Sequence, residues 1–234
     1  PGRFPETAAI ISTFDGMTGH KQDLAGKRVL ITAGGTREAI DPVRYIGNRS
    51  SGKQGIALAQ AARDRGAQVG LIAANCDVSH LKGVELFPVE TTAQMQEALQ
   101  KHFDSCDILI MSAAVADARP SHVASDKIKK AALSSIGLEE NPDLLAELSA
   151  RKSKQILIGF AAETKDHLQE ARRKLEAKGL DVIYVNDVSG GAIFGQDTTM
   201  GTILIRNEAD IAVKEVSKDA LSNTLLDHAI RQLG

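Results

Sequence analysis

A chain of 234 residues, 43% hydrophobic and 25% charged, has the length and composition of one large α/β domain with a buried core. A net charge of −2 gives nucleic acid and anionic membranes no electrostatic hold as principal partners, and 3% aromatic residues with no Trp argue against a base-stacking platform. No apolar run approaches the roughly 18 to 20 residues that a bilayer-crossing helix needs. Cys76 and Cys106 show neither metal-ligand spacing nor a disulfide framework, and no signal peptide opens the sequence. A reducing, cytoplasmic setting is therefore expected.

Residues Pro1 to Gly26 are punctuated by Pro and Gly, and only Ala8 to Ile11 forms a short apolar run, the pattern of a linker or docking arm. From Lys27 a strand–helix alternation sets in. Val29–Thr32, Val69–Ala73 and Ile108–Ser112 are continuous apolar runs of the kind found in parallel strands covered on both faces, with Val84–Val89 a weaker fourth. Between the first two lies a polar loop, Asp41 to Gly55, leading into an Ala-rich helix from Ile56 to Arg65 that stops at Gly66. Thr91-Thr-Ala-Gln94 has the form of a capping box opening a helix to His102. Asn141-Pro142-Asp143 predicts a helix start with Asn as the cap and Pro in the first turn. Ile156–Ile158 continues the sheet, a helix follows to Lys178, and Val182–Val185 is another strand. After a glycine-rich loop or flap from Ser189 to Gly201, Met200–Arg206 and Ile211–Val216 predict an antiparallel hairpin at the sheet edge. Asp219 to Leu233 is the last helix. The alternation predicts a doubly wound, mostly parallel, Rossmann-like three-layer sheet with ligands at the carboxyl ends of its strands.

Polar or glycine-rich patches follow four of these strands: Gly34-Gly35-Thr36, Ala113 to Asp117, Gly159 to Thr164 and Asn186-Asp187. In a parallel sheet they share one edge and converge on a single cleft. Gly47-Asn48-Arg49-Ser50-Ser51-Gly52-Lys53 matches a P-loop up to its lysine, but Gln54 stands where the magnesium-binding Ser or Thr belongs. No Gly-x-Gly-x-x-Gly follows the first strand. Ser50, Gly52 and Gly55 are thus read as a phosphate cradle of another kind, the alternative being a purely structural Gly-rich connection. Asp117 is read as a magnesium or ribose ligand at the cleft rim, or as a helix cap. Lys127, Lys129 and Lys130 lie on a lid that can bring a cation to a phosphate, or on a solvated face. Lys174 and Lys178 share a helix face, which suits a polyphosphate clamp as well as an ordinary surface. The six histidines are scattered, so positioning and charge neutralisation fit this inventory better than a covalent nucleophile.

In this order the motifs Ile31-Thr-Ala-Gly-Gly-Thr-Arg-Glu, Asp41-Pro-Val-Arg-Tyr-Ile, Asn48-Arg-Ser-Ser-Gly-Lys, Ser112-Ala-Ala-Val-Ala-Asp, Lys127-Ile-Lys-Lys, Asn141-Pro-Asp, Gly159-Phe-Ala-Ala-Glu-Thr and Asn186-Asp give the chain its likeness. From Leu24 to Leu233 it resembles phosphopantothenoylcysteine synthetase, the ligase half of a bacterial bifunctional protein of coenzyme A biosynthesis. The resemblance implies a domain over residues 24–234, and an arm over 1–23 from a flavin-dependent decarboxylase half absent from this chain, where FMN would bind. It implies that CTP, with Mg²⁺, activates the carboxylate of 4′-phosphopantothenate as an acyl-cytidylate and that the cysteine amine then displaces CMP. By motif position Lys127 matches the lysine needed to form that intermediate, and Asn48, Arg44 and Ala114 match positions needed to turn it into product. Ala113, Asp117, Asn141, Pro142, Asp143, Leu144, Phe160, Lys174 and Lys178 match the nucleotide site. A homodimer, with a higher oligomer for the full-length protein, is implied too, and the hairpin from Met200 to Val216 offers an edge for pairing. The competing readings are a Rossmann-type NAD(P) oxidoreductase and a non-catalytic nucleotide-sensing module.

Overall fold

Long apolar runs become strands covered on both faces, and the segments between them become helices that supply the covering. The computed structural model describes residues 21–130, 134–163, 167–187 and 196–233. Most of the expected N-terminal arm and residues 188–195 of the expected flap lie outside them. In chain order the elements are β1 (Arg28–Gly34), the short β2 (Arg37–Ala39) and β3 (Tyr45–Gly47), α1 (Lys53–Asp64), β4 (Gln68–Ala74), β5 (Glu85–Val89) and α2 (Thr92–His102). Then follow β6 (Ile108–Met111), the short β7 (Ala118–Pro120) and β8 (Leu138–Glu140), α3 (Leu144–Ala150), β9 (Ile156–Glu163) and α4 (His167–Ala177). β10 (Val182–Asp187), β11 (Thr198–Ile205), β12 (Ile211–Ser217) and α5 (Lys218–Leu233) complete the chain.

Eight strands form one sheet in the order β12-β11-β10-β9-β6-β1-β4-β5. From β1 the parallel strands run outward, β4 then β5 on one side and β6, β9 and β10 on the other. The C-terminal hairpin β11–β12 adds antiparallel at the β10 edge, where the sequence puts it. Successive β1 residues point to opposite layers. Val29, Ile31 and Ala33 pack with Leu58 of α1 and Leu221 and Leu225 of α5, while Leu30 packs with Met95 and Leu99 of α2, Leu148 of α3 and Leu175 of α4. Leu58, Leu221 and Leu225 are fully buried, and each such side chain contributes about 1.5–3 kcal/mol. At Gly55 a Cβ would lie 2.5 Å from the Ala33 Cβ and 2.8 Å from the Thr32 carbonyl oxygen. Only glycine lets α1 approach β1 this closely.

The capping box forms as expected: the Thr91 hydroxyl accepts the Gln94 N–H, and the Gln94 side chain accepts the Thr91 N–H. Three local expectations need correction. The cap of α3 is Asp143, not Asn141, because the Asp143 carboxylate accepts the Ala146 N–H at 3.1 Å while the Asn141 amide is engaged elsewhere. Pro142 therefore precedes the helix instead of opening it. β9 runs on to Glu163, so Gly159 and Phe160 lie within the strand, paired to Ile183 and Tyr184 of β10. The polar loop before α1 and the segment after Asp117 each contribute strands of small antiparallel hairpins, β2–β3 and β7–β8, which their polar composition does not announce.

Candidate functional site

The two halves of the parallel sheet diverge between β1 and β6, where an open α/β sheet leaves a crevice beyond its strand ends. Here the loops after both strands are laced together. The Ala114 N–H donates to the Gly34 carbonyl at 2.8 Å, and the Thr36 N–H donates to the Ala114 carbonyl at 3.2 Å. Gly35 lies under the loop expected to cradle a phosphate: a Cβ there would sit 3.0 Å from the Asn48 carbonyl oxygen and 3.4 Å from the Ser50 Cβ. Gly35 supports the site without lining it.

A cavity of about 480 Å³ opens at this crevice. Asn48, Ser50, Gly52 and Gly55 line one side, carried by the loop and first turn of α1. Gly52 takes the left-handed conformation (φ 76°) immediately before α1, and a Cβ on it would meet the Cys76 side chain at 2.7 Å. The first-turn backbone and positive dipole end of α1 therefore open onto the cavity, an arrangement suited to an anion. Ser112, Ala113, Ala114 and Asp117 form the floor and rim. The Ser112 hydroxyl oxygen is buried and has no hydrogen-bond partner among the described residues. A polar atom so placed in a cavity wall is left for a ligand or a water molecule in the cavity to satisfy. Asp117 is exposed and caps no helix, since β7 follows it. Asn48 donates from Nδ2 to the Val115 carbonyl at 3.0 Å, which ties the cradle loop to the β6 loop.

The opposite wall holds Asn141, Pro142, Asp143 and Leu144, together with Phe160, Lys174, Lys178 and Asn186. Lys178 pairs with Asp143 at 2.8 Å. Burial pushes the Asp143 carboxyl upward, but the Lys178 ammonium and the Ala146 N–H outweigh it and hold the pKa below the ordinary value. The Phe160 ring meets Tyr184 edge-on with centroids 5.6 Å apart. The Tyr184 hydroxyl donates to Thr199 at 2.9 Å and the Thr199 hydroxyl to Asn186 Oδ1 at 3.0 Å, so Asn186 is set from behind.

Lys53 and Lys218 also line the cavity, and the sequence did not single them out as site residues. Lys53 opens α1 and pairs with Asp197 at 2.6 Å, and Lys218 opens α5. Burial and the nearby Lys53 charge lower the pKa of Lys218. Gln54, which spoiled the P-loop match, donates from Nε2 to the Lys218 carbonyl at 3.3 Å and to Ser222 at 3.0 Å. It joins two helix starts where a P-loop would hold a metal. The residue pattern up to Lys53 was the available signal, and the missing Ser or Thr masked it.

Besides Gly35, two more expected site residues stand outside the cavity lining, Arg44 and Lys127. Asp41 organises both. Its Oδ1 accepts the N–H groups of Val43 and Arg44 at 2.9 Å, and its Oδ2 accepts Arg44 Nε at 3.0 Å and the Ile128 N–H at 3.2 Å. Arg44 Nη2 also donates to the Ile128 carbonyl at 2.6 Å. The turn of the β2–β3 hairpin thus grips the residue next to Lys127, and Arg44 acts as a strap instead of facing the cavity. Burial works to raise the Asp41 pKa, but the N–H groups of Val43 and Ile128 and the Arg44 guanidinium bring it down to about 2. An unfolded Asp titrates near about 3.9, so the stabilisation is whole above that pH and is lost as pH falls through the folded value. We expect the thermal midpoint of Asp41→Asn to lie below that of the wild type by a constant gap above about pH 5, narrowing below about pH 4. Thermal melts across that range check it; a gap that stays constant at low pH would remove Asp41 as the anchor.

Among the described residues no helix is long and apolar enough to cross a membrane, and no group of three or more His, Cys, Asp and Glu could hold a metal ion. Comparison with known proteins fits this site and fold. The curated relatives include the coenzyme A biosynthesis bifunctional protein CoaBC of Mycolicibacterium smegmatis, 42% identical over 97% of this chain and 59% of that protein. The chain spans about half the length of the curated relatives it matches. The crystal structure of the C-terminal domain of a CoaBC protein superposes with a TM-score of 0.79 at 36% identity, covering 91% of this chain and 98% of that one. Cab2, solved as a mutant in complex with phosphopantothenate-cysteine, shares the fold at a TM-score of 0.69 and 15% identity, covering 99% of this chain and 95% of that one. The model of the DNA/pantothenate metabolism flavoprotein C-terminal domain matches residues 24–233, and the chain belongs to that family.

Proposed function

We propose that this domain joins 4′-phosphopantothenate to cysteine, with CTP activating the carboxylate as an acyl-cytidylate and pyrophosphate and CMP leaving in turn. The observation that carries the reading is one cavity at the sheet's switch point, onto which the α1 N-terminus, the lysines and the Asn48 loop all open. Family membership supports it, and so does the phosphopantothenate-cysteine bound to Cab2, a protein of the same fold. Attack of a carboxylate on a phosphate brings anions together, so the site must supply positive charge. Lys53 and Lys218 on one side and Lys174 and Lys178 on the other do so. Mg²⁺ commonly sits on one or two carboxylates plus substrate phosphates, a role that the exposed Asp117 carboxylate suits without a dedicated cluster. Bound there, the ion would neutralise phosphate charge. A dinucleotide-binding oxidoreductase fits less well. The connection from β1 to α1 spans residues 35–52 and carries a hairpin, where a dinucleotide fold turns directly into its helix.

Pyrophosphate release, with CTP, ATP, phosphopantothenate and cysteine omitted in turn, tests the reading. The expected result is release that requires CTP and phosphopantothenate but not cysteine, with amide product appearing only when cysteine is added. Release without phosphopantothenate, or none with the full set, would overturn it.

A further inference from the structure

A carboxylate that the proposed chemistry does not use lies buried beside the cleft. Glu38, on β2, is 5% exposed. Its Oε1 accepts both the N–H of Thr92, at 2.9 Å, and the Thr92 hydroxyl, at 2.8 Å. Such charge-assisted bonds offset the cost of burying the group. With its single proton committed to Glu38, the Thr92 hydroxyl can only accept from its other neighbours. The Thr36 hydroxyl, 3.1 Å away, must then donate to Thr92, which leaves its own oxygen to accept the Ala116 N–H at 2.9 Å. Asn141 Nδ2 donates to Thr92 Oγ1 at 3.3 Å and to the Ala116 carbonyl at 2.9 Å. That orients the amide so that its oxygen accepts from Arg119 Nη1 at 2.8 Å. The relay runs one way, from the Ala116 N–H through Thr36 and Thr92 to Glu38. Ala116 and Asn141 both line the cavity, and Glu38, Thr36 and Thr92 do not.

We propose that Glu38 is a positioning residue for the nucleotide, acting through this hydroxyl relay. The inference rests on the ligase reading of the cavity. By accepting the Thr92 proton, Glu38 fixes the polarity of every bond in the chain. It thereby holds the Ala113–Asp117 loop and the Asn141 amide in the single arrangement that receives the nucleoside triphosphate. Without an acceptor at this position Thr92 can turn its proton toward the Thr36 oxygen, which reverses that bond, and the two cavity walls lose their common setting. The Asn48 side of the cavity meets the held loop where Asn48 Nδ2 donates to the Val115 carbonyl, so the effect falls chiefly, not exclusively, on the nucleotide.

The test uses Glu38→Met, Glu38→Gln and Thr92→Val, with steady-state kinetics for all three substrates, calorimetric binding of CTP and thermal melts. Glu38→Met and Thr92→Val are expected to raise the KM and Kd for CTP about tenfold, the scale of one lost charge-assisted bond, with the KM values for phosphopantothenate and cysteine raised by no more than about threefold. Glu38→Gln keeps an acceptor oxygen and should restore CTP binding to within about threefold of wild type. The Glu38→Met/Thr92→Val double variant should be no worse than the poorer single, because both break one chain. A loss of thermal stability with unaltered CTP affinity, or an equal rise for all three substrates, would overturn the relay. Should Glu38→Met fail to fold, the nearly isosteric Thr92→Val decides by itself. Absence of pyrophosphate release by the wild type overturns the ligase reading separately, while the calorimetry still tests the relay.

Discussion

Lys127→Gln is expected to abolish pyrophosphate release while leaving the thermal midpoint unchanged. The fold does not need this side chain. Lys127 is exposed, and its segment is held by backbone bonds on either side: the Ala124 N–H donates to the Ile40 carbonyl at 3.0 Å, and Ile128 is gripped by Asp41 and Arg44. An exposed substitution away from such contacts usually changes stability by no more than about 0.5 kcal/mol. The proposed activation step does need a cation, because a carboxylate and a triphosphate must approach one another. Losing one preorganised charge-stabilising group typically costs roughly 10²–10³ in rate. Lys127 stands outside the cavity lining, so the proposed role requires its segment to come over the phosphates, with the Asp41–Arg44 strap as the fixed point. Pyrophosphate release at saturating CTP is the measurement. A normal rate in the variant would remove Lys127 from the activation step.

Asn48→Asp is expected to keep consuming CTP and to accumulate the acyl-cytidylate, while amide formation falls by roughly 10²–10³. One N–H of the Asn48 amide is spent on the Val115 carbonyl, at 3.0 Å. An amide nitrogen carries two hydrogens, and the second is available to an acyl oxygen in the cavity. An uncharged donor is poorly suited to neutralising a triphosphate, but it suits a carbonyl that becomes an oxyanion when the cysteine amine attacks. Aspartate removes both donors and adds a charge that repels that oxyanion. It also loses the bond to Val115, at a stability cost of about 1 kcal/mol, which thermal melts would register. Mass spectrometry of the quenched reaction decides the matter. If product formation fails and no intermediate builds up, Asn48 acts earlier, in binding or activation.

What the sequence determined by itself is whatever neighbours in the chain can enforce. Val29 to Thr32 must be a buried strand because no short apolar run of this kind can face water, and Thr91 with Gln94 closes a capping box across three residues. The placement of Ser112, Ala113, Ala114 and Asn186 on one cavity was legible too, since each lies at or just after the carboxyl end of a parallel strand and parallel strands share one edge. Tertiary structure decided the rest through partners remote in sequence. A helix start close to Asn141 was legible, but the cap is Asp143 and the helix opens at Leu144, because Thr92 and Ala116 take up the Asn141 amide and leave Asp143 to meet the Ala146 N–H. Lys53 and Lys218 stand together only because α1 and α5 begin at the same edge of the sheet. Glu38 carries an ordinary surface residue's name in an unremarkable position; it is buried because Thr92, 54 residues on, turns both its donors toward it. A hydrogen bond's direction depends on which groups surround it in space, and no periodicity along a chain encodes that.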